Sequence, residues 1–416
     1  MRHNSLIHGF CCLLLLFLSG TAWAGEDLVV GMSAAFTGPS RGLSIELYRG
    51  SMAYFEDVNQ SGEITGRKIV IKAYDDAYAP ARAMKNTIRL IEQDQVFLLY
   101  DYMGTPTTAR ILPLLKRYSS RGLPVYLFFP FSGAQPQRQP PYDEFVFNLR
   151  ASYRQETAGL VEHFLEIGRK RIAIFYQIDA YGRSGWDGVR STLADHNLRL
   201  VEEATYKRGT TYDESLKAQV DILRGANPDA VISVGTYSGC AAFIRDARDA
   251  GWDVPIANVS GVDSENLLRL LLVEGRAKGK DYVTGLINSE VVPSYDDTTL
   301  PAVAEYRKLM DRYKPRPPEA LLDEPYDPPQ YSCISLEGFL NAKLLVKVLK
   351  EMEPELKRER IRHVVESMGK VDLGIDVPAY FGASRHQGLD RVYYMVVSDD
   401  RFVPLKDEDW KRRWGK

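Results

Sequence analysis

Short apolar runs alternate along this chain with longer stretches in which apolar residues recur every three or four positions. The first kind of run predicts buried strands, the second amphipathic helices. Residues 28–32 read as a compact strand. Residues 42–59 read as a helix, with Leu43, Leu47, Met52 and Phe55 near helical spacing. Residues 68–74 alternate polar and apolar, 80–93 form a helix opened by proline, and 96–100 are a continuous apolar strand. A helix over 106–118 and a strand over 124–129 follow. This rhythm predicts a mostly parallel sheet covered by helices on both faces.

The rhythm then restarts. Residues 145–149 are extended, and 153–167 are a helix. Strands over 171–176, 198–206 and 230–234 alternate with helices over 185–195, 212–224 and 240–250, before strands over 254–259 and 282–289. The proline- and glutamine-rich break at 135–142 interrupts an even count, so two successive doubly wound α/β units are expected rather than one barrel. Residues 313–330 are rich in proline and acid and read as an exposed, partly disordered loop. A helix over 332–351 follows, and then a hairpin, 392–397 with 401–405, across Ser398-Asp399-Asp400.

The chain opens with Arg2, an apolar run over 9–18 and Ala22-Trp23-Ala24, which is the pattern of a secretory signal peptide cleaved after Ala24. The apolar run is too short to span a bilayer. The 416 residues exceed what one core supports, so two lobes are expected. A formal charge of −2 lacks the positive field that nucleic acid or an anionic membrane demands. Cys240 and Cys333 are expected to be buried free thiols rather than a disulfide.

Catalytic patterns are missing. The chain has no G-x-G-x-x-G after a strand, no P-loop, no C-x-x-C, no H-E-x-x-H and no G-x-S-x-G. No cofactor and no metal are therefore expected, nor is an enzyme. His163, His196, His363 and His386 read as surface residues. Asp75-Asp76 reads as a structural turn, because adjacent side chains at a strand end point in opposite directions.

Binding chemistry is better represented. The strand over 96–100 leads into Tyr102, Gly104, Thr105, Pro106 and Thr107. Thr105 suits an N-cap and Pro106 the first helical position. A helix starting there aims free N–H groups beyond the strand's carboxyl end, where open α/β sheets hold ligands. The next strand leads into Phe131-Ser132-Gly133-Ala134, which offers an apolar wall, a hydroxyl and close backbone approach. From the second half, Tyr181, Tyr237, Ser260 and Val262 follow strands and form the expected opposing face.

Together these features resemble the type I periplasmic binding proteins of the leucine/isoleucine/valine-binding kind, the extracytoplasmic components of ABC importers. The resemblance runs from Val30-Gly31 through Phe36-Thr37-Gly38-Pro39, Gly50, Asn59, Gly66-Arg67, Asp75-Asp76, Gly104-Thr105-Pro106-Thr107 and Ser132-Gly133-Ala134. It continues through Tyr181-Gly182, Pro228-Asp229-Ala230 and Ala250-Gly251 to Ser335-Leu336-Glu337-Gly338. It implies two lobes joined by a three-segment hinge, the first made of residues 25–149 and 292–374, the second of 150–291 and 375–416. It implies that a small-molecule ligand is clamped between them. The ligand-carboxylate positions look like Thr105, Thr107, Ser132 and Ala134, and a family aromatic looks like Tyr153 or Tyr181. The expected partner is the membrane permease of an ABC importer, and the expected state is a periplasmic monomer.

One departure matters. Amino-acid binders of this kind place an acid after a lobe-two strand to pair with the ligand ammonium, where this chain reads Ser260-Gly261-Val262-Asp263. The first lobe's edge is also unusually aromatic. An aromatic carboxylate, or a larger apolar guest such as a lipid or sterol, stays open beside an amino acid. A sensor that presents its ligand to a membrane receptor stays open beside a transporter component.

Overall fold

The computed structural model describes residues 26–64 and 66–415. The expected signal peptide, residues 1–24, lies outside the described residues.

The first sheet is assembled from β1 (Leu28–Ala34), α1 (Arg41–Ser61), β2 (Ile69–Asp75), α2 (Pro80–Glu92), β3 (Leu98–Tyr100), α3 (Thr105–Ser119), β4 (Leu127–Phe128) and β5 (Val146–Phe147). Its order is β2-β1-β3-β4-β5, parallel throughout. The chain then crosses into a second lobe through α4 (Tyr153–Glu166), β6 (Ile172–Gln177), α5 (Ala180–Asp195), β7 (Glu202–Tyr206), α6 (Lys217–Gly225), β8 (Ala230–Val234), α7 (Tyr237–Asp249), β9 (Ile256–Asn258), α8 (Ser264–Lys278) and β10 (Leu286–Glu290). It returns to the first lobe with α9 (Pro301–Tyr313), α10 (Cys333–Met352), α11 (Arg358–Ser367), β11 (Gly369–Val371) and β12 (Ala379–Phe381). It ends in the second lobe with β13 (Tyr393–Ser398), β14 (Arg401–Pro404) and α12 (Asp407–Trp414). The second sheet runs β14-β13-β10-β9-β8-β6-β7, with an antiparallel edge made by β13 and β14. Asp399 and Asp400 both have positive φ, the two-residue turn that matches the twist of a hairpin.

Each lobe has its own core. In the first, α10 is apolar on nearly every side and buries Leu336, Phe339, Leu340, Leu344, Leu345, Val348 and Leu349 against α1, α9 and the sheet. Each such side chain contributes about 1.5–3 kcal/mol of transfer free energy. Two glycines let α1 and α10 touch. A Cβ on Gly50 would stand 1.8 Å from the Ser335 carbonyl oxygen, and one on Gly338 would stand 2.3 Å from that of Leu47. The second lobe has core clusters on opposite faces of its sheet, built around Phe175, Phe243 and Leu271 and around Leu160, Ile174 and Trp410. Cys240 and Cys333 are buried and free, in different cores.

Several expectations are corrected. The third crossover comes later than residue 374, because Ala379, Phe381 and Leu389 pack in the first lobe's core and Leu389 N donates to Leu149 O at 2.8 Å. The segment 314–331 is a strap pinned at both ends rather than a free loop. Arg49 donates to the carbonyls of Pro315 and Pro329, and Arg41 pairs with Asp323 and Glu324. Helices α8, α9, α11 and α12 are not predicted by the pattern alone. Asp75 and Asp76 do form a turn: Asp75 accepts from the N–H groups of Phe36, Thr37 and Ala77, and Asp76 from Ser33 Oγ and Tyr78 N.

Candidate ligand-binding cleft

Two β–α junctions of the first lobe meet at the seam. Beyond β3 and β4 the chain continues as an isolated bridge between Met103 and Phe131, with Phe131 N donating to Tyr102 O at 2.8 Å and Gly104 N to Phe131 O at 3.1 Å. This pairing brings Thr105 and Ser132 together, and their hydroxyl oxygens lie 2.8 Å apart. Gly104, not Thr105, is the N-cap of α3, with φ 93°. Thr105 is the first helical residue, so its hydroxyl is free to meet Ser132 instead of capping the helix. The first i→i−4 bond is Thr108 N to Gly104 O, at 3.0 Å, so the N–H groups of Thr105 and Thr107 precede it at the seam. Only glycine fits at 104, because a Cβ there would stand 2.1 Å from the Tyr78 ring and the φ disfavours other residues.

The second lobe supplies aromatic groups. Ser152 and Gln155 form a reciprocal capping box that starts α4, which fixes Tyr153 at the first helical position. The Tyr153 ring lies 4.9 Å from that of Tyr181, and its hydroxyl faces Thr105. Asp179 caps α5 through the N–H groups of Tyr181 and Gly182, and the Tyr181 hydroxyl donates to Gly235 O at 3.2 Å. A Cβ on Gly261 would stand 2.5 Å from that hydroxyl. Thr105, Ser132, Phe131, Tyr153, Tyr181 and Ser260 are all at most 2 % exposed.

Arg150, in the first crossover, stands at the centre of this set. Its guanidinium lies 4.2 Å from the Phe131 ring centre and donates through Nη2 to Ser260 Oγ. Two carboxylates flank it loosely, Glu337 of α10 at 3.5 Å and Glu156 of α4 at 3.7 Å. Nε and Nη1 have no hydrogen-bond acceptor among the described residues. Burial pushes the Glu337 carboxyl up to about 7, against the pull of Arg150. Burial alone would lower the Arg150 value, but Glu337, Tyr153 and Glu156 reverse the shift and raise it. Arg138, half-buried, spends its donors on the carbonyls of Ser132, Ala134 and Arg150 and on Gln387.

The lobes touch on either side of the cleft. Gln177 Nε2 donates to the Tyr78 hydroxyl at 3.5 Å, and Gly42 N donates to the Tyr237 hydroxyl at 3.4 Å. A Cβ on Gly42 would stand 2.6 Å from Asn266 Nδ2, so α1 and α8 abut. The strap spans the same seam: Asn266 Nδ2 donates to the Tyr326 hydroxyl at 3.0 Å and Arg269 Nη1 to Asp327 O at 2.8 Å. A groove of about 680 Å³ lined by Arg138, Arg385 and His386 lies behind the hinge, away from these residues.

The structure brings together Gly104, Thr105, Phe131, Ser132, Tyr153, Tyr181 and Ser260. It places others elsewhere. Tyr102 is in the core between the first sheet and helices α2 and α3, its hydroxyl 3.0 Å from Thr87 Oγ1. Thr107 turns its hydroxyl back to Gly104 O at 2.8 Å. Val262 is part of the second lobe's core, whereas Ala134 packs in the cluster that holds Tyr153 and Tyr181 and donates through its N–H to Ser132 Oγ at 3.4 Å, so it stays at the seam. Tyr237 stands at the α1–α8 contact. Arg150, Glu156, Glu337 and Tyr78 escaped the sequence reading. The one signal for Arg150 was a lone arginine at the junction between a strand and a capped helix.

The family model described as "Periplasmic binding protein" matches residues 27–401. A Pseudomonas aeruginosa "Amino acid binding protein" is 23% identical over 262 residues, 63% of this chain and 66% of the relative. The "Leu/Ile/Val-binding protein homolog 3" of Brucella melitensis is 23% identical over 58% of this chain and 63% of its own length. The chain thus covers less than two thirds of either relative. A solved structure of "a possible leucine/isoleucine/valine-binding protein" from Rhodopirellula baltica is 30% identical, with a TM-score of 0.82 over 94% of this chain and 99% of that one. A Thermus thermophilus structure described as a branched chain amino acid ABC transporter with bound valine shares the fold, at 16% identity and a TM-score of 0.78 over 92% of this chain and 96% of that one.

Proposed function

This chain belongs to the type I periplasmic binding proteins of the leucine/isoleucine/valine-binding kind, which are solute-binding proteins and not enzymes, and from that premise we propose that it captures a small carboxylate-bearing ligand between its lobes and delivers it to the permease of an ABC importer. The observation that carries the reading is the shared hydroxyl pair of Thr105 and Ser132, facing Tyr153 and backed by Tyr181 across the seam. Hydroxyls and helix-start N–H groups suit a carboxylate, and the adjacent, tilted tyrosine rings suit an apolar or aromatic body.

The mechanism is a change in the population of two states. Three chain segments join the lobes, and the groups at the seam come from both of them, so a ligand that touches both faces stabilises the closed arrangement over the open one. Opening separates Thr105 and Ser132 from Tyr181 and Ser260 and releases the guest. The N-terminal pattern Arg2, apolar 9–18 and Ala22-Trp23-Ala24 supports export and cleavage, in keeping with work in the periplasm. No helix among the described residues is long and apolar enough to cross a membrane.

The test is native mass spectrometry of the protein purified from a periplasmic extract. A small molecule released on denaturation, whose re-addition makes the lobes more compact by small-angle X-ray scattering, is the expected result. Retention of no molecule, with no compaction by any carboxylate, counts against the clamp.

A further inference from the structure

Ala77 and Tyr78 join β2 to α2 in consecutive left-handed conformations, at φ 48° and 57°. Residues other than glycine adopt that region only at a free-energy cost, and the surrounding structure must hold them there. Carboxylates and a carbonyl do so here. Ala77 N donates to Asp75 Oδ1 at 3.0 Å, Tyr78 N to Asp76 Oδ1 at 2.9 Å and Ala79 N to Asp76 O at 2.8 Å. A chain that only had to pass from a strand to a helix could use glycine at such a turn. This one instead carries a tyrosine whose ring is buried at the seam, 5 % exposed.

Tyr78 has partners on both lobes. In the first, its ring packs against Gly104 at the start of α3, where an added Cβ would stand 2.1 Å from Cε2. In the second, Gln177 Nε2 donates to its hydroxyl at 3.5 Å, and the Arg208 guanidinium lies 5.4 Å from the ring centre, within range of a cation–π attraction. Those second-lobe partners are themselves held. Arg208 Nη1 and Gln177 Nε2 both donate to Asp179 Oδ2, at 3.3 Å and 2.6 Å. The other oxygen of Asp179 accepts from Tyr181 N at 2.9 Å. The ring therefore stands between the start of α3 and the residues that position Tyr181. None of these contacts passes through a guest, so they act in every closed molecule.

We propose that Tyr78 is a latch between the lobes, a first-lobe ring that docks on Gln177 and Arg208 of the second and sets how long the cleft stays shut. The proposal rests on the moving clamp described above. The ring has to leave Arg208 before the lobes part, so each opening breaks the same contacts whatever the guest's chemistry. Part of the closing free energy then comes from the protein itself, and a guest has only to supply the remainder. The strained turn fits this role, because it fixes the ring in its docking position before the lobes meet.

The test needs no guest. Spin labels on Lys85→Cys of α2 and Lys217→Cys of α6, both exposed, report the separation of the lobes by pulsed dipolar spectroscopy, and the buried Cys240 and Cys333 stay unlabelled. A short and a long separation are expected, with the short one populated in the otherwise wild-type protein. Tyr78→Ala is expected to lower the short-to-long ratio about tenfold, Arg208→Gln about threefold, and Tyr78→Phe, which keeps the ring, about twofold or less. Arg208 is exposed on the second lobe, so its variant leaves the strained turn intact and decides the matter if Tyr78→Ala does not fold. A purely structural role for Tyr78 would lower the melting temperature of its variants and leave the Arg208→Gln ratio at the wild-type value, which overturns the proposal. Two separations in a ratio that no variant changes overturn the latch and leave the clamp standing. A long separation alone in the wild type also overturns it, because such a latch does not wait for a guest. One short separation in every variant overturns the latch and the clamp together.

Discussion

The hydroxyl oxygens of Thr105 and Ser132 lie 2.8 Å apart although they belong to different β–α junctions. Both side chains are buried, and each is the other's partner. Removing both at once takes the pair out together and leaves only Ala134 N, a 3.4 Å donor to Ser132 Oγ, and the Tyr153 hydroxyl to find other partners, a cost of about 1–3 kcal/mol. Thr105→Val combined with Ser132→Ala should therefore melt within a few degrees of wild type. Its ligand affinity should fall about tenfold, the loss of one or two hydrogen bonds to the guest. Thermal melts and titration on the same preparation check both halves, and unchanged affinity would remove this pair from the site.

Gly42 offers a way to hold the lobes apart. The position is helical, so a larger residue is tolerated by the backbone of α1, but a Cβ there would stand 2.6 Å from Asn266 Nδ2. Gly42→Leu should act as a wedge in the closed state only. Scattering should show an enlarged radius of gyration in the presence of ligand, and ligand release should quicken with little change in melting. A variant that still compacts on ligand addition would show that α1 and α8 do not limit closure.

The strap makes a different contribution. Tyr326 and Asp327 lie on a segment anchored to the first lobe but bond to Asn266 and Arg269 of the second. Each bond is worth about 1 kcal/mol, which corresponds to roughly fivefold in a rate or affinity. Arg269→Ala with Tyr326→Phe should accelerate ligand dissociation by about that factor or more, read by stopped-flow fluorescence. Unaltered dissociation would mean that the strap rests on the second lobe without restraining it.

Glu337 gives the protein a pH signature. Its carboxyl is pushed up to about 7 by burial, with Glu156 adding to the shift and Arg150 and Arg138 opposing it. A carboxyl raised on folding stabilises the folded state fully below its unfolded value, and the contribution disappears as pH climbs through the folded value. Asp76 and Asp263, both near 7, and Glu265, near 8, act in the same direction. Melting temperature should fall between about pH 5 and about pH 8, and Glu337→Gln should make that slope shallower by about 1–3 kcal/mol over the range. An identical slope in the variant would mean that Glu337 titrates close to its unfolded value.

The alternation of strands and helices was legible because the inner strands of the first sheet are buried on both faces and read as unbroken apolar runs, while its edge strand β2 alternates. The misplacement of Tyr102 has a local cause. Strand alternation puts Tyr100 and Tyr102 on one side, but Asp101 between them has φ 48°, and the two rings enter different cores. Thr105 was read as a cap because threonine is a good one. The pairing of the β3 and β4 extensions gave its hydroxyl a better partner and left the cap to Gly104. Arg150 and Glu337 could not be connected in advance. They are far apart in sequence, and each reads as a solvated charge until the lobes close on both. The strap was misjudged for a similar reason, since its arginine partners lie on helices far away in sequence.

The packing of α10 against α1 also dictates an order of assembly. The two helices are separated by nearly the whole second lobe, so a ribosome makes that lobe's parallel strands before the first lobe can complete its interior. Until residue 352 is available, α1 lacks the helix that covers most of its inner face. Such distant pairing is slow to form. The polypeptide therefore stays without a finished N-terminal half for most of its synthesis.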